Sequence, residues 1–281
     1  MKLQSISQLS GYIKTNIEYI VFFILLFILF ILIAYKTIDN FTSQPSGINQ
    51  LDAIIYINLE NRSDRKELII QELESLGVDM KKVHKVSGVY IPKNGHKGCV
   101  QSHIIALKMI KMNNWRRVLI LEDDAQLTIP PEIFNAVLDN SLPVLDNKYP
   151  NWNVLMLATA NKRLKKDKHN NTNQEALTIY GADGTQHPLS LVLEQIEGAT
   201  TSSAYIINET TEISYVEKIL TLFETCNTKM KHDQLNGDNY ENWALDQKWN
   251  SLQQNDNWFA FNKDIITQRE IWSTTMKESH Y

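Results

Sequence analysis

The sequence predicts an α/β fold, in which a mainly parallel sheet is flanked by helices and preceded by one transmembrane helix. Residues 19–35 are an apolar run without a charge or a proline. From residue 51 onward, short β-rich runs alternate with segments of helical periodicity, and no second long apolar run occurs. Strands that alternate with helices are typical of a parallel sheet with helices on both faces.

The apolar run 19–35 is long enough to cross a bilayer as a helix. At about 1.5 Å per residue it extends about 26 Å, close to a hydrocarbon core of about 30 Å. Tyr19 and Tyr35 stand at its ends, where tyrosine is common at membrane interfaces. No small-x-small cleavage site follows the run before Lys36. We therefore interpret it as an uncleaved anchor rather than a signal peptide, with a buried core helix as the alternative.

The chain is predicted to have four parts: a cytosolic tail (1–18), a transmembrane signal anchor (19–35), a stem (36–50) and one globular domain (51–281). The stem segment is rich in Thr, Ser, Asn, Pro and Gly, which suits a flexible tether. Lys2 and Lys14 precede the anchor and favour a cytosolic amino terminus. This predicts a single-pass type II membrane protein, with a domain in the lumen of the ER or Golgi if the host is eukaryotic or virus-infected.

Composition argues against several classes of protein. The net charge of -4 offers no basic excess to neutralise phosphates, so no nucleic-acid partner is predicted. The two cysteines, Cys99 and Cys226, are too few for a disulfide scaffold. They also lack the spacing and the histidine neighbours of a zinc site. Whether they pair or stay free is left open.

Hydrophobic periodicity predicts the elements of the domain. Strands are predicted at Ala53–Asn58, Val83–Val89, Arg117–Leu121, Asn153–Ala158, Ala204–Ile207 and Trp258–Phe261. Helices are predicted at Asp64–Leu76, Ser102–Met112, Thr211–Thr225 and Glu241–Leu252. The polar run Lys162–Glu175 predicts an exposed loop. Because ligands of such sheets bind beyond the carboxyl ends of the strands, the residues after Asn58 and Leu121 are the candidate site.

Three acids, Glu122, Asp123 and Asp124, directly follow a predicted strand. The strand period of two puts Glu122 and Asp124 on one side, where a hard divalent cation would remove their repulsion. We predict that these two residues bind Mn²⁺ or Mg²⁺. Such a cation can bridge a diphosphate and neutralise a leaving nucleoside diphosphate. A solvated turn or a helix cap is the alternative.

A second group of polar residues, Asn58, Arg62 and Arg65, follows the first predicted strand. Arginine binds phosphate bidentately, and the amino terminus of the next helix points its N–H groups at the same space. This predicts an anion site. In the alternative, Asp64 caps the helix and the arginines pair with surface acids.

Ser102 and His103 are predicted to contact the ligand from the start of a helix, where Gly98 allows a close backbone approach. Cys99 and His103 could also suggest a thiol nucleophile. We set this aside because no third group is indicated that would orient the histidine.

Asp246 lies between Trp243 and Trp249 on a predicted helix. A partly desolvated aspartate has the raised pKa that favours general-base catalysis, and tryptophan stacks well on sugar rings. In the alternative, the tryptophans are core anchors and Asp246 bonds to nearby backbone.

Several segments over residues 52–275 together resemble glycosyltransferase family 25, which includes bacterial lipooligosaccharide galactosyltransferases and collagen hydroxylysine galactosyltransferases. The segments that carry the resemblance are Ile57–Arg65, Gly98–His103, Leu119–Ala125, Thr200–Ile207 and Gln268–Ser273.

The resemblance implies a GT-A-like fold, a nucleoside-diphosphate sugar donor that is often UDP-galactose, dependence on Mn²⁺, and inversion at the anomeric carbon. It also implies that Asp123 and Asp124 serve the ribose and the metal, and that Asn58, Arg62 and Arg65 line the donor site. Asp246 is assigned by position as the base that deprotonates the acceptor. The acceptor is expected to be a glycan, a lipid-linked saccharide or a hydroxylysine-type protein.

Two other functions are consistent with parts of the sequence. An inactive, membrane-tethered binding module would keep the fold, but the intact cluster Glu122–Asp124 argues against it. A metal-dependent phosphohydrolase would need further metal ligands that the sequence does not indicate.

Overall fold

The computed structural model describes residues 19, 21–33, 46–180, 184–209, 214–230 and 243–269. The chain divides into two compact units, Met1–Pro45 and Ser46–Tyr281. In the first unit, residues 21–33 are helical and their apolar side chains are exposed. Within the described ranges, no helix combines the length and apolar character that a membrane crossing requires. The predicted tail (1–18) lies outside the described residues, as do residues 20, 34 and 35 of the predicted anchor.

The second unit begins before the predicted domain start. Residues Gly47–Gln50 form a 3-10 turn in which Ile48 is completely buried. Asn135 and Asp139 hold this turn, because their side-chain oxygens accept the N–H groups of Ile48 (2.8 Å) and Gly47 (2.6 Å). The end of the predicted stem (36–50) is therefore part of the second unit rather than a free tether.

The described residues of the second unit contain eleven strands and six α-helices. The strands are β1 Ala53–Asn58, β2 Val83–Ser87, β3 Arg117–Glu122, β4 Ala125–Leu127, β5 Val154–Met156, β6 Ala160–Leu164, β7 Gln174–Tyr180, β8 Gln186–Thr200, β9 Ala204–Asn208, β10 Trp258–Phe261 and β11 Ile266–Gln268. The helices are α1 Ser63–Ser75, α2 Gly95–Asn113, α3 Pro131–Lys148, α4 Tyr215–Lys229, α5 Leu245–Lys248 and α6 Asn250–Asn255.

Nine strands form one sheet in the order β2-β1-β3-β9-β5-β10-β8-β6, and β7 pairs with β8. Strand β1 is parallel to β2 and β3, and β5 is parallel to β10. Strand β9 is antiparallel to both β3 and β5, so these two groups point in the same direction. The predicted, mainly parallel sheet is confirmed, with β8 and β9 reversed within it. Strands β4 and β11 form a separate two-stranded sheet.

Helices cover both faces of the sheet, as the alternating sequence pattern predicts. One hydrophobic cluster packs α1 and α3 against one face, with Leu73 and Phe134 completely buried. The other packs α2 and α4 against the opposite face, with Leu107 and Phe223 buried. Strand β1 is buried along its whole length because it lies between these two layers.

Helix α2 begins seven residues before its predicted start. Asn94 caps it, because its side-chain oxygen accepts the N–H of the third helical residue at 2.9 Å. A Cβ atom at Gly98 would lie 2.3 Å from the carbonyl oxygen of Val89, so only glycine lets the loop after β2 cross the helix this closely. Ser102 secures the crossing, since its hydroxyl accepts the N–H of Val89 and donates to the Gly98 carbonyl, each at 2.8 Å.

A buried lysine joins α2 to the end of α4. The ammonium group of Lys97 donates to the carbonyl oxygens of Asn227 (2.7 Å) and Met230. Lys97 itself is only 6% exposed. The point at which the chain leaves α4 is therefore held by the first turn of α2.

Three other predicted elements differ from the structure. The predicted loop Lys162–Glu175 is too long, because its two ends belong to β6 and β7; residues 165–173 connect these strands as an exposed turn that contains an isolated bridge between Lys166 and Thr172. The predicted helix Glu241–Leu252 is two short helices, α5 and α6, and residues 241–242 lie outside the described residues. The predicted helix Thr211–Thr225 begins at Tyr215 and ends later, with residues 211–213 undescribed.

Candidate active site

A cavity of about 420 Å³ lies beyond the carboxyl ends of β1, β2 and β3. Its size is in the range of small-molecule sites in proteins. The end of β1, the loop after β2, helix α2 and the acids after β3 form one part of its wall. The rest comes from Arg65 of α1, Ala160 of β6 and three other segments: Thr200–Ser202, Ala244–Asp246 and Gln268–Arg269. The cavity therefore lies where the sheet topology predicted the site.

The three acids at the end of β3, of which Glu122 is the last residue of the strand, have different partners. Asp123 is 7% exposed and is neutralised within the protein. Its Oδ1 accepts a hydrogen bond from Arg65 at 2.8 Å, and its Oδ2 accepts one from the Asn58 amide at 2.8 Å. Asn58 and Arg65 therefore hold the Asp123 carboxylate rigidly beside the cavity.

Asp124 is less well satisfied. Its Oδ2 lies 3.4 Å from the Arg65 guanidinium, while its Oδ1 is buried and has no hydrogen-bond partner among the described residues. Burial, together with the charge of Glu122, raises the pKa of Asp124 to about 7, although Arg65 opposes the shift. A divalent cation would give the bare oxygen a partner and relieve the repulsion, so this residue fits the predicted metal.

Glu122 contacts helix α2 and the turn that precedes β9. Its Oε1 accepts a hydrogen bond from the Ser202 hydroxyl at 2.5 Å and lies 3.4 Å from His103 Nε2. The thiol of Cys99 lies 4.0 Å from the same oxygen. Burial raises the pKa of Glu122, but the interactions with His103 and Ser202 outweigh it, and the net pKa is lowered. Glu122 and Asp124 thus share the cavity wall but engage different neighbours.

His103 and Ser102, the predicted ligand contacts of α2, are both bonded within the protein. His103 is completely buried, and its Nδ1 is hydrogen-bonded to the hydroxyl of Tyr205 at 2.8 Å. Ser102 is bonded to the loop after β2. Both also line the cavity.

The predicted anion site is divided by the structure. Arg65 lines the cavity, whereas Asn58 and Arg62, which are also described, do not. Arg62 forms an ion pair with Asp64 at 2.7 Å, and its hydrogen bond lowers the pKa of Asp64 to about 2. Asn58 donates to the Arg62 carbonyl at 3.0 Å as well as to Asp123. Arg65 therefore acts as the counter-ion of the acids, and Arg62 is bound to its own helix start.

Asp246 lies in the cavity wall, where its Oδ2 accepts the N–H of Thr201 at 3.1 Å. Thr201 has a φ of 75°, a conformation that is strained for a β-branched residue. Trp249 is a core residue, because it is completely buried and donates to the Ala199 carbonyl at 2.8 Å. Trp243 is partly buried, and Lys248 lies 4.3 Å above its ring.

Sequence reasoning did not single out Arg269. This residue lines the cavity, its N–H donates to the Asp124 carbonyl at 2.7 Å, and its guanidinium pairs with Glu72. The available signal was the resemblance at Gln268–Ser273, of which residues 270–273 lie outside the described part of the chain. The missed residues Thr201 and Ser202 likewise fall in the resembling segment Thr200–Ile207.

Carboxylates and arginines around a cavity at the carboxyl edge of an α/β sheet are typical of an enzyme that binds a phosphorylated ligand. The family model of glycosyltransferase family 25 (LPS biosynthesis protein) matches residues 92–236, just over half of the chain. The chain therefore belongs to glycosyltransferase family 25, as the sequence motifs predict, and is a glycosyltransferase. No curated protein sequence matches it.

Three solved structures are similar to this chain at low levels. A197 from STIV is 10% identical, with a TM-score of 0.38 over 80% of this chain and 87% of its own. A glycosyltransferase involved in glycosylation of the major capsid of PBCV-1 is 10% identical, with a TM-score of 0.36 over 81% and 97%. The mannose-1-phosphate geranyltransferase from Thermus thermophilus is 9% identical, with a TM-score of 0.35 over 74% and 72%.

Proposed function

We propose that this glycosyltransferase transfers a hexose, with galactose as the first candidate, from a nucleoside-diphosphate sugar to a hydroxyl group of a glycan or protein acceptor, with inversion. The observation that carries the proposal is the bare, buried Oδ1 of Asp124 in the wall of the cavity. A buried carboxylate oxygen without a hydrogen-bond partner destabilises the folded protein. A cation that bridges a sugar diphosphate supplies the missing partner. A GT-A-like arrangement of the domain is part of the same proposal.

The cavity residues have different roles in the proposed reaction. Asp124, with Glu122 beside it, would hold Mn²⁺ or Mg²⁺, which when bound neutralises the charge that develops on the departing diphosphate. Arg269 and Arg65 add positive charge to the same wall. Asp246 removes the proton from the acceptor hydroxyl while the oxygen of that hydroxyl attacks the anomeric carbon. The Thr201 N–H holds the Asp246 carboxylate in place.

A donor screen tests the proposal. The full-length chain is incubated with a panel of nucleotide sugars, with Mn²⁺, with Mg²⁺ or with a chelator, and release of the nucleotide is measured. We expect turnover of a UDP-hexose with Mn²⁺ and none with the chelator. If calorimetry detects neither nucleotide sugar nor cation, the proposal is wrong. Equal hydrolysis of simple phosphate esters would instead identify a phosphohydrolase.

Replacing Asp246 with asparagine is expected to lower kcat for transfer about a hundredfold, because the variant cannot take the acceptor proton. The dissociation constant of the donor should change little, since the Thr201 N–H can still bond to the amide oxygen. Both quantities are measured with the best acceptor from a glycan screen. Asp167→Asn, in the exposed turn between β6 and β7, is the matched control. Unchanged kcat in Asp246→Asn would assign the base elsewhere.

We further propose that residues 19–35 anchor the chain in a membrane as a single-pass type II protein. The support is the helical run 21–33, in which Phe23, Phe27 and Phe30 are 64%, 64% and 67% exposed. Exposed apolar area of this kind is unfavourable in water. The expressed chain should stay in the pellet after an alkaline carbonate wash, and deletion of residues 1–45 should release it. Full-length chain in the supernatant would refute the anchor.

A further inference from the structure

We propose that Cys99, His103 and Glu122 form a second cation site, which takes a thiophilic divalent ion of the zinc class. The site goes beyond the transfer reaction, because its ligands are a sulfur, a nitrogen and an oxygen rather than the carboxylates that Mn²⁺ and Mg²⁺ prefer.

The backbone brings the three ligands together. Cys99 and His103 are four residues apart on α2 and therefore lie on one face of that helix. Glu122 reaches the same point from the end of β3. One ligand atom from each residue lies within 4.8 Å of the other two.

The ligand atoms are already close to the spacing of a tetrahedral site. With metal–ligand bonds of about 2.0 to 2.1 Å to nitrogen and oxygen and about 2.3 Å to sulfur, tetrahedral geometry separates the ligand atoms by roughly 3.3 to 3.6 Å. His103 Nε2 and Glu122 Oε1 are 3.4 Å apart, and Cys99 Sγ and Glu122 Oε1 are 4.0 Å apart. Cys99 Sγ lies within 4.8 Å of His103 Nε2, so the Cys99 side chain would have to move toward both other ligands, by up to about 1 Å, to complete the geometry.

The surrounding residues orient these ligands as in known zinc sites. The Tyr205 hydroxyl bonds to His103 Nδ1 at 2.8 Å, and when Nδ1 donates this bond, Nε2 directs its lone pair toward Glu122. The Ser202 hydroxyl holds the Glu122 carboxylate at 2.5 Å. Hydrogen bonds that fix the ring and the carboxylate in this way are usual around metal-binding histidines.

The three ligands all line the cavity, so the fourth position of the cation can face the substrate. Three protein ligands with one open position are typical of exchangeable rather than structural zinc. Because Glu122 is next to the other acids, occupation by zinc would withdraw it from the catalytic cation. We therefore expect zinc to inhibit turnover, an expectation that rests on the proposed function.

Cobalt titration of the full-length chain tests the site directly. Tetrahedral Co²⁺ bound to a thiolate gives a charge-transfer band in the near-ultraviolet and intense visible bands, which Mn²⁺ does not produce. We expect the absorbance of these bands to saturate at one equivalent of Co²⁺ per chain, and we expect Zn²⁺ to displace the bound Co²⁺ and abolish the bands. Cys99→Ala should abolish the charge-transfer band, whereas Cys226→Ala, which removes the buried cysteine of α4, should retain it. Circular dichroism checks that both variants fold.

Two further measurements separate this inference from the proposed function. Asp124→Asn should keep the cobalt bands even though it loses transfer. In the transfer assay, the rate of each enzyme is compared with its own rate without Zn²⁺. The Zn²⁺ concentration that halves the rate should be about tenfold higher for Cys99→Ala than for the natural chain, because one ligand is lost. Absence of the band from the natural chain, or its persistence in folded Cys99→Ala, would overturn the site.

Discussion

Replacing Asp124 with asparagine is expected to lower cation-dependent transfer by about a thousandfold and, at the same time, to stabilise the metal-free protein. The loss of rate follows from removal of a metal ligand, since a cation contributes several kcal/mol to the stabilisation of transition-state charge. The gain in stability follows because the carboxylate is buried, has one unbonded oxygen and is repelled by Glu122.

The stability difference should depend on pH. The pKa of Asp124 rises from its ordinary value of 3.8 to about 7 in the folded protein. Between these values the unfolded chain releases a proton that the folded chain keeps, so the free energy of unfolding of the natural protein falls as the pH rises from about 4 to about 7. Asparagine does not titrate, so the advantage of the variant grows over this range and is constant above it.

Thermal unfolding in a chelating buffer, at several pH values, measures this effect. Adding Mn²⁺ at pH 7.5 should raise the melting temperature of the natural protein much more than that of the variant, because the ligand binds only the folded state. A variant less stable than the natural protein at every pH would show instead that Asp124 serves mainly as a partner of Arg65.

Replacing Arg65 with methionine is expected to lower the free energy of unfolding by about 3 to 5 kcal/mol, which is usual when one partner of a buried ion pair is removed. The Arg65 side chain is 8% exposed, and it is the ion-pair partner of both Asp123 and Asp124. Methionine of similar length would leave the two carboxylates together without a cation. Urea unfolding in a chelating buffer measures the change.

Arg62→Met is the matched control for Arg65→Met. Arg62 lies three residues earlier, but its partner Asp64 is 58% exposed, and pairs in contact with water contribute little to stability. The control should therefore unfold at nearly the same urea concentration as the natural protein. Adding Asp123→Asn to Arg65→Met should recover part of the lost stability. Equal losses for both arginines would contradict the buried-pair interpretation.

The parts of the fold that the sequence predicts well are those in which burial dominates. Strands β1, β3 and β10 are apolar runs with clear ends, and their predicted bounds agree with the structure to within one residue. The predicted start of helix α2 is too late, because the first turns of this helix contain glycine and polar residues. Those turns depend on the Asn94 cap and on Lys97, whose partners on α4 are far away in sequence.

The edge of the sheet is harder to predict. The segment Lys162–Glu175 is polar because β6 and β7 expose much of their surface, and polarity alone resembles a loop. Lysine and arginine on an edge strand also discourage pairing with another molecule. No prediction covers α3 or β8, although both contribute buried residues to the core.

The sequence predicts the location of the site but not the partners of its residues. The three acids after β3, Asp246 and the pair Cys99 and His103 can all be found from local sequence. The separation of Glu122 from Asp124 cannot, because it depends on Arg65, His103 and Ser202, which lie in three distant segments. The proposed cation site at Cys99 also cannot be found from the spacing of residues within one segment, because its third ligand, Glu122, comes from another element.

The Lys97 bridge has a consequence for how α2 and α4 stay together. The carbonyl oxygens of Asn227 and Met230 lie at the end of α4, where no N–H of the same helix can reach them, and the Lys97 ammonium group satisfies them from another element. Because a positive charge at the carboxyl end of a helix also interacts favourably with the helix dipole, separating the two helices would require both the charge and these carbonyl groups to be hydrated again.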